Sequence, residues 1–546
     1  MTPQIEQLKQ WIDDMAALLA RNENPDPQYY THFLQEPELA IRLVDLIASL
    51  PESEMEEERA YYSACVFAID ICVAQLQAAA ESNNKSSAKT MQQLMAHMAQ
   101  VIGESKHSLS FWLPILNAFY EVHVELSEEL KDAYFDLASD EEMPTAGTEE
   151  ATHLNSIRDL IEELSDLSVF DIAENFFAQS YAMPADFFLD LILDLYSIEE
   201  GQDIALLTLL HPKQEVRDVV VATYAQIIEN ITLTSISLSR LQAIKHWYPS
   251  IYQHQFNDWI KIQRKKGVVF ATDKTAPVME IKASEVDGMG AQGIFLHLKD
   301  TRKNRLCGVL LKHSVGIKDA WLTPVIPAKD IKRYYKESFD ESVTLRKVDK
   351  DYFITLVNHF LAVSVEQGNM PDLQLLEMQE ELGVHFVPQK LDVDYLLEQL
   401  AIQISPFTPD TLNSSLARSK LWAKQKRFTE SWYIENAQID KLVNRCCSFI
   451  EGVKVCRFDE AMAAVFAHEM EHHRQEWLFH FLWITLWLKV SARKNEKIWQ
   501  DSFFIAYSIH QGTRLSTIPI LQEISYQSVV NSIETMQERR THLNKE

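Results

Sequence analysis

Glycine is scarce in this chain: 13 residues in 546, alongside 18 prolines, against a glycine share of ~7 % in ordinary proteins. So few helix-breaking residues predict a mainly α-helical fold. Cysteine is also sparse. Six occur, at 65, 72, 307, 446, 447 and 456, with no C-x-x-C pair and no spacing like a disulfide framework, which predicts free thiols in a reducing compartment. The neighbours Cys446 and Cys447 are expected as half-buried thiols on a helix.

Positive charge is in deficit. Lysine plus arginine number 51 against 79 acidic residues, a net charge of −28, and such a field repels nucleic-acid phosphates and anionic membranes. No nucleic-acid partner is therefore expected, and the basic stretch Lys261–Lys266 (KIQRKK) is expected to be a solvated helix end. Long apolar runs are missing too. The longest, from Trp477 to Val490, contains His480 and Lys489 and falls short of the ~20 residues needed to span a bilayer, so it is predicted to be a buried core helix. The first twenty residues have no basic region before an apolar one, which predicts no secretory signal and a cytoplasmic protein. Delivery into a host by a specialised secretion system remains open.

What is present is core material: 47 % hydrophobic against 24 % charged residues, in a chain several times the ~150 residues of a typical domain. Helical stripes run through Ile5, Leu8, Ile12, Met15 and Leu18, and again through 37–50, 60–80 and 90–102. The polar segments 22–27, 51–58 and 82–87 separate them. The acidic stretch 139–152 (SDEEMPTAGTEEAT) reads as a linker. The expected divisions are an N-terminal helical region 1–138, the linker 139–152, a second helical region 153–266, a small Gly-rich α/β domain 267–345, and a C-terminal helical domain 346–546. Six of the eleven tryptophans fall in the last, at 422, 432, 477, 483, 487 and 499, which marks an aromatic core.

Within the second region, Ile204–Ile227 has an apolar stripe, a His211-Pro212 break and a second stripe opening at Glu215-Val216-Arg217. This helix–turn–helix resembles a HEAT repeat over Ala205–Ala225. The resemblance implies HEAT-like helical stacking, because one such unit cannot bury its apolar face alone.

In the 267–345 region the pattern changes to short alternating runs, with strands expected at 278–281, 294–298, 309–312 and 321–325, a hairpin turn at 300–304 and a helix over 327–337. Gly288, Gly290 and Gly293 spell G-x-G-x-x-G, but an alternating run follows where a dinucleotide fold needs a helix. With Lys312 nineteen residues after Gly293, the segment instead looks like the nucleotide lobe of a protein kinase, which implies phosphate binding by the loop and the lysine. No H-R-D or D-F-G motif follows. The competing reading is a tight turn that needs positive φ, with a small-molecule ligand of this domain kept open beside Asp287, Lys312 and Asp319.

The sharpest motif is His468-Glu469-Met470-Glu471-His472, in a stretch 459–490 expected to form one long helix. Helical spacing of four puts both imidazoles on one face. The five residues resemble the zinc metallopeptidase H-E-x-x-H, which implies zinc on His468 and His472 with Glu469 as the base. Folding the chain back near 493 brings residues near 510–518 opposite the pair, so His510 is the candidate third ligand. The other reading is a charged helix face with Glu469–His473 and Glu471–Arg474 pairs. No complete catalytic set follows from the sequence. The expectation is therefore an acidic, helical protein-interaction or adaptor protein with a protein partner and no cofactor, and the alternative is a zinc-dependent metallopeptidase.

Overall fold

The computed structural model describes residues 3–21, 25, 27–56, 59–81, 84–141, 149–272, 278–300, 303–337, 343–424, 432–450, 453–490 and 497–543. The fold is mainly α with a small α/β part embedded in it. Met1–Thr223 and Tyr224–Glu546 form two compact units.

In the first unit the predicted stripes become the helices Pro3–Leu19, Leu39–Ala48, Ala60–Glu81 (α1) and Lys85–Glu104. Helix α1 is apolar and long enough to cross a membrane by length and composition. It lies against all three of the others and Leu109–Glu121, burying Ala64, Cys65, Ala68, Ile69, Cys72 and Val73. Of the polar segment 82–87, the described residues 84–87 form a helix start. Asn84 accepts hydrogen bonds from the Ser86 and Ser87 amides, satisfying donors that the first turn leaves orphaned. Helices Glu128–Glu141 and Glu149–Glu163 take up both ends of the acidic stretch 139–152, whose residues 142–148 lie outside those described.

The His211-Pro212 break joins Gln202–Leu207 and a 3₁₀ turn to helix α2, Gln214–Ile227. Arg217 is buried and donates to the His211 and Pro212 carbonyls at 2.8 and 2.5 Å. The His211 ring in turn accepts from the Lys213 amide at 3.1 Å. The valine–arginine step thus closes the turn: Val216 enters the core while Arg217 holds carbonyls that no helix satisfies.

The second unit begins with α3 (Ser235–Ile244) and α4 (Ser250–Lys265), followed by β1 (Val278–Ala283), β2 (Ala291–Asp300), β3 (Lys303–Lys312), β4 (Gly316–Leu322), α5 (Ala328–Glu337) and β5 (Arg346–Val348). The strands form one antiparallel sheet in the order β4-β3-β2-β1-β5. Alternation sets its register. Ile294 faces Val309 and Leu296 faces Cys307, and all four are buried. The helices that follow include α6 (Lys350–Glu366), α7 (Leu373–Leu382), α8 (Val393–Ala401), α9 (Ala437–Arg445), α10 (Phe458–Val465), α11 (Arg474–Val490), α12 (Ile498–His510) and α13 (Pro519–Leu543), with Pro409–Arg418 between α8 and α9. All six C-terminal tryptophans are buried.

Two expectations are corrected here. Cys447 and Cys456 pair directly across a two-stranded hairpin, β6 (Cys447–Ile450) and β7 (Val453–Cys456), and form a disulfide. Their spacing of nine gives no sign of this, because only the hairpin turn between them brings the two positions opposite. Cys446 therefore ends α9 while Cys447 starts a strand. The second correction concerns the long helix. A π-helical turn over Phe466–Met470 and a further turn separate α10 from α11, and the Glu471 amide donates to the Phe466 carbonyl five residues back. The wider turn lets Phe466, Glu469 and Met470 all face inward.

Candidate functional site

The π turn decides where HEMEH points. His468 and His472 are exposed, whereas Glu469 is buried and accepts from Asn436 Nδ2 at 2.7 Å. Asn436 is also the N-cap of α9, its Oδ1 accepting from the Gln438 and Ile439 amides. Glu469 is thereby tied to a helix start. The two charge pairs of the alternative reading are present: Arg474 with Glu471 at 2.7 Å and His473 with Glu469 at 4.0 Å.

The chain does fold back as the sequence geometry requires. Arg474 donates to the Ile509 and Thr513 carbonyls, and the Leu515 amide donates to Glu471. His510 itself, at the end of α12, turns to Asp394 on α8 at 2.8 Å. Among the described residues no group of three or more His, Cys, Asp or Glu side chains is placed to hold a metal ion. These side chains do not fit a zinc set in this arrangement.

The Gly-rich segment is also turned inward. Asp287 accepts from the Met289 and Ala291 amides at 2.9 and 2.8 Å, its own carbonyl accepts from Gly290, and Ser284 Oγ accepts from Gly293. Amides that could cradle a phosphate are thus engaged inside the loop. Gly290 has φ +71°, the left-handed conformation that glycine adopts without strain. A Cβ there would also meet His313 Cβ at 3.2 Å. Lys312 pairs with Ala291 at the end of β3. Burial raises the Asp287 carboxyl above its ordinary range, against the pull of three backbone amides and Lys312.

Gln292, inside the motif, is the anchor of this region. Its buried amide oxygen accepts from Tyr352 at 2.8 Å and from Trp483 Nε1 at 3.0 Å, and its Nε2 donates to the Ser284 carbonyl. The Gly-rich loop is thereby fastened to α6 and α11. On α11, His480 stacks on Trp477, meets Trp432 edge-on and hydrogen-bonds the Asp287 backbone. Complete burial lowers its pKa to about 3. His313 and His359 both stack on Phe479; burial lowers the His359 pKa to about 4 and that of His313 in the same direction. The Gly-rich loop therefore meets α11, the helix that follows HEMEH, through packing and through the Gln292 hydrogen bonds.

An open site lies elsewhere, where no motif marks it. Along α3 the side chains of Ile236, Ser239, Gln242, Ala243 and, one turn further, His246 share one face. The backbone at Ala271 runs beside them, its amide donating to the Ser235 carbonyl and to Ser239 Oγ. The opposite wall is the segment 384–387 after α7. It is held by Trp247 Nε1 on the Phe386 carbonyl, by Gln379 on the Phe386 amide and by Asn358 on the Val387 amide. Arg240 and Glu380 clamp α3 to α7 through two hydrogen bonds of 2.7 and 3.1 Å.

Between these walls is a cavity of about 390 Å³ lined by Gln242, His246, Phe270, Gln379, His385 and Val387 among others, with no acidic residue in its lining among the described residues. The His246 imidazole has no hydrogen-bond partner among the described residues, and burial followed by nearby Lys245 lowers its pKa. Arg264, from the basic KIQRKK stretch, lies over the Phe270 ring at 5.2 Å. The sequence reading missed this site because its walls come from segments more than a hundred residues apart. The one local signal was Val268-Val269-Phe270, an apolar run straight after a basic helix end.

Comparison with known proteins yields two partial matches and one relative. The Y4lR second domain matches residues 184–267 and the Y4lR C-terminal helical domain matches residues 394–533. The first span holds α3 and the basic end of α4, and the second holds HEMEH and His510. The uncharacterized protein y4lR of Sinorhizobium fredii (strain NBRC 101917 / NGR234) is 25% identical over 294 residues, 53% of this chain and 54% of the relative. The chain thus spans about half the length of the curated relative it matches. No solved structure matches. The resemblance is to uncharacterised bacterial proteins.

Proposed function

We propose that this chain is an acidic, helical interaction protein that receives a segment of a partner protein in the groove along α3. The observation that carries the reading is the exposure of large apolar side chains in and next to the groove. Phe270 and Val387, in the cavity lining, are each 41 % exposed, and Val269 and Ile236, one residue from Phe270 and three from Ser239 in sequence, are 59 and 45 % exposed. Single exposed apolar residues are ordinary, whereas several around one cavity mark a surface that a partner covers. The walls are fixed by the Trp247, Gln379, Asn358 and Ala271 hydrogen bonds, so little ordering is left to oppose binding.

Photo-crosslinking from position 387 in the native cell tests this. A discrete protein adduct is expected from 387 and from 269, and none from Ile402, which is 78 % exposed but outside the groove lining. Identical adduct patterns from all three positions, or none from 387 and 269, would overturn the reading.

A further inference from the structure

The groove's charge runs against that of the molecule. In a chain of net charge −28, the cavity lining among the described residues contains two histidines, two glutamines and no carboxylate. At the rim, Arg264 covers Phe270, and Lys265 beside it is exposed. The nearest acidic side chain in sequence to the lining, Glu380, is neutralised by Arg240.

The remaining cations nearby are engaged in the protein itself. Lys266 donates to the Ile228, Glu229 and Ile231 carbonyls, Lys261 pairs with Asp258, and Lys245 holds Gln242 and Asn257. Arg264 donates only at 3.4 Å, to the Val268 carbonyl. Its guanidinium is therefore held at the groove's edge by the Phe270 ring and the adjoining backbone.

From this charge pattern we propose that the groove's occupant is an acidic peptide segment of the partner. A large apolar side chain enters between Phe270 and Val387, and an adjacent aspartate or glutamate meets Arg264. Cavity and rim divide the work. The apolar anchor supplies contact area, while Arg264 selects the sign of the flanking charge and discriminates against basic segments. His246 and Gln242 line the cavity where the anchor's backbone would pass, offering hydrogen-bonding groups without a formal negative charge. Nucleic acid is the other anionic class. The rest of the surface opposes it, because the chain's overall field repels an extended polyanion far more than a short peptide.

This inference rests on the interaction reading and is tested separately from it. A displayed random-peptide library is selected on the full chain and counter-selected on Phe270→Asp, and the enriched peptides are measured by fluorescence anisotropy. Enriched sequences should pair a bulky apolar residue with Asp or Glu. Their affinity should fall about tenfold or more in Phe270→Asp and by ~3- to 10-fold in Arg264→Glu, with Ile402→Asp unchanged. A peptide with lysine in place of its acidic residue should regain binding on Arg264→Glu. Peptides without acidic residues, affinity indifferent to Arg264→Glu, no peptide that depends on Phe270, or single-stranded DNA binding lost in Phe270→Asp would each overturn the inference. Should crosslinks from 387 identify a partner that places no acidic segment there, this inference falls and the interaction reading stands. Should position 387 give no adduct, the interaction reading itself falls.

Discussion

The HEMEH turn and the α3 groove invert the ranking that residue types suggest. HEMEH carries the residues of a hydrolytic centre, yet its glutamate is committed to the α9 cap and Arg474 and Glu471 join it to residues 509–515. Among the described residues the groove is lined by serine, glutamine, histidine and apolar side chains, yet it offers a cavity with a partnerless imidazole and an uncovered apolar rim. Chemistry-bearing side chains become a site only when the fold leaves their polar atoms unspent.

The largest expected effect tests whether the buried imidazoles of the second unit are structural. His480 and His359 are held neutral, with pKa values of about 3 and about 4 against an ordinary 6.5. Below pH 6.5 the unfolded chain binds protons that the folded chain refuses, so stability falls as pH drops, until about 4 for His359 and about 3 for His480. Each contributes up to ~1.4 kcal/mol per pH unit in that window. His211 in the first unit, also lowered to about 3 by burial, acts in the same direction. Denaturant unfolding at stepped pH should show this slope, and His480→Gln should reduce it. An unchanged slope in the variant would mean that His480 is protonated when folded.

Next in size is Asn436→Ala. It removes two cap hydrogen bonds and strips the buried Glu469 of its donor, which should cost about 2 kcal/mol in unfolding free energy. A negligible cost would imply that Glu469 is free for another role and would reopen the comparison. The double variant His468→Ala, His472→Ala should cost under about 0.5 kcal/mol, since both rings are exposed. Metal per chain, measured by mass spectrometry on protein prepared without chelator, should be the same in variant and wild type. Loss of one zinc per chain would restore the metallopeptidase reading.

The difference in legibility has the same origin. The sheet could be read in part because alternation and Gly290's turn are local: 278–281 lengthens only to Ala283 and the expected helix 327–337 starts at Ala328, whereas the expected 309–312 starts at Lys303, 321–325 lies instead at Gly316–Leu322, and β5 had no expected counterpart. The six buried tryptophans were legible as a core for a similar reason, since apolar bulk has few other places to go. The π turn was not. One extra residue per turn leaves the three- and four-residue apolar spacing nearly intact while rotating Glu469 inward. The His510 ring turns to Asp394, on a helix more than a hundred residues earlier, and a partner at that distance could not be seen from local pattern. The groove was invisible for that reason alone: its walls join residues 239–246, 270–271 and 379–387, and contact between distant segments leaves no periodic trace.

The smallest effect on stability should separate the two regions most clearly. Val387→Ser exchanges a 41 % exposed side chain for a polar one of smaller volume and keeps the amide that Asn358 accepts from. Unfolding free energy should change by roughly 0.3 kcal/mol, because the lost contacts are mostly with solvent. Crosslinking from position 269 should nonetheless disappear, since burial of this valine by the partner is a large part of the apolar contact in the groove. The matching substitution at HEMEH, the exposed His472→Ala alone, should leave both stability and the 269 adduct unchanged. If Val387→Ser retains the adduct at full yield, the cavity is not where the partner binds, and the exposed apolar rim is ordinary surface.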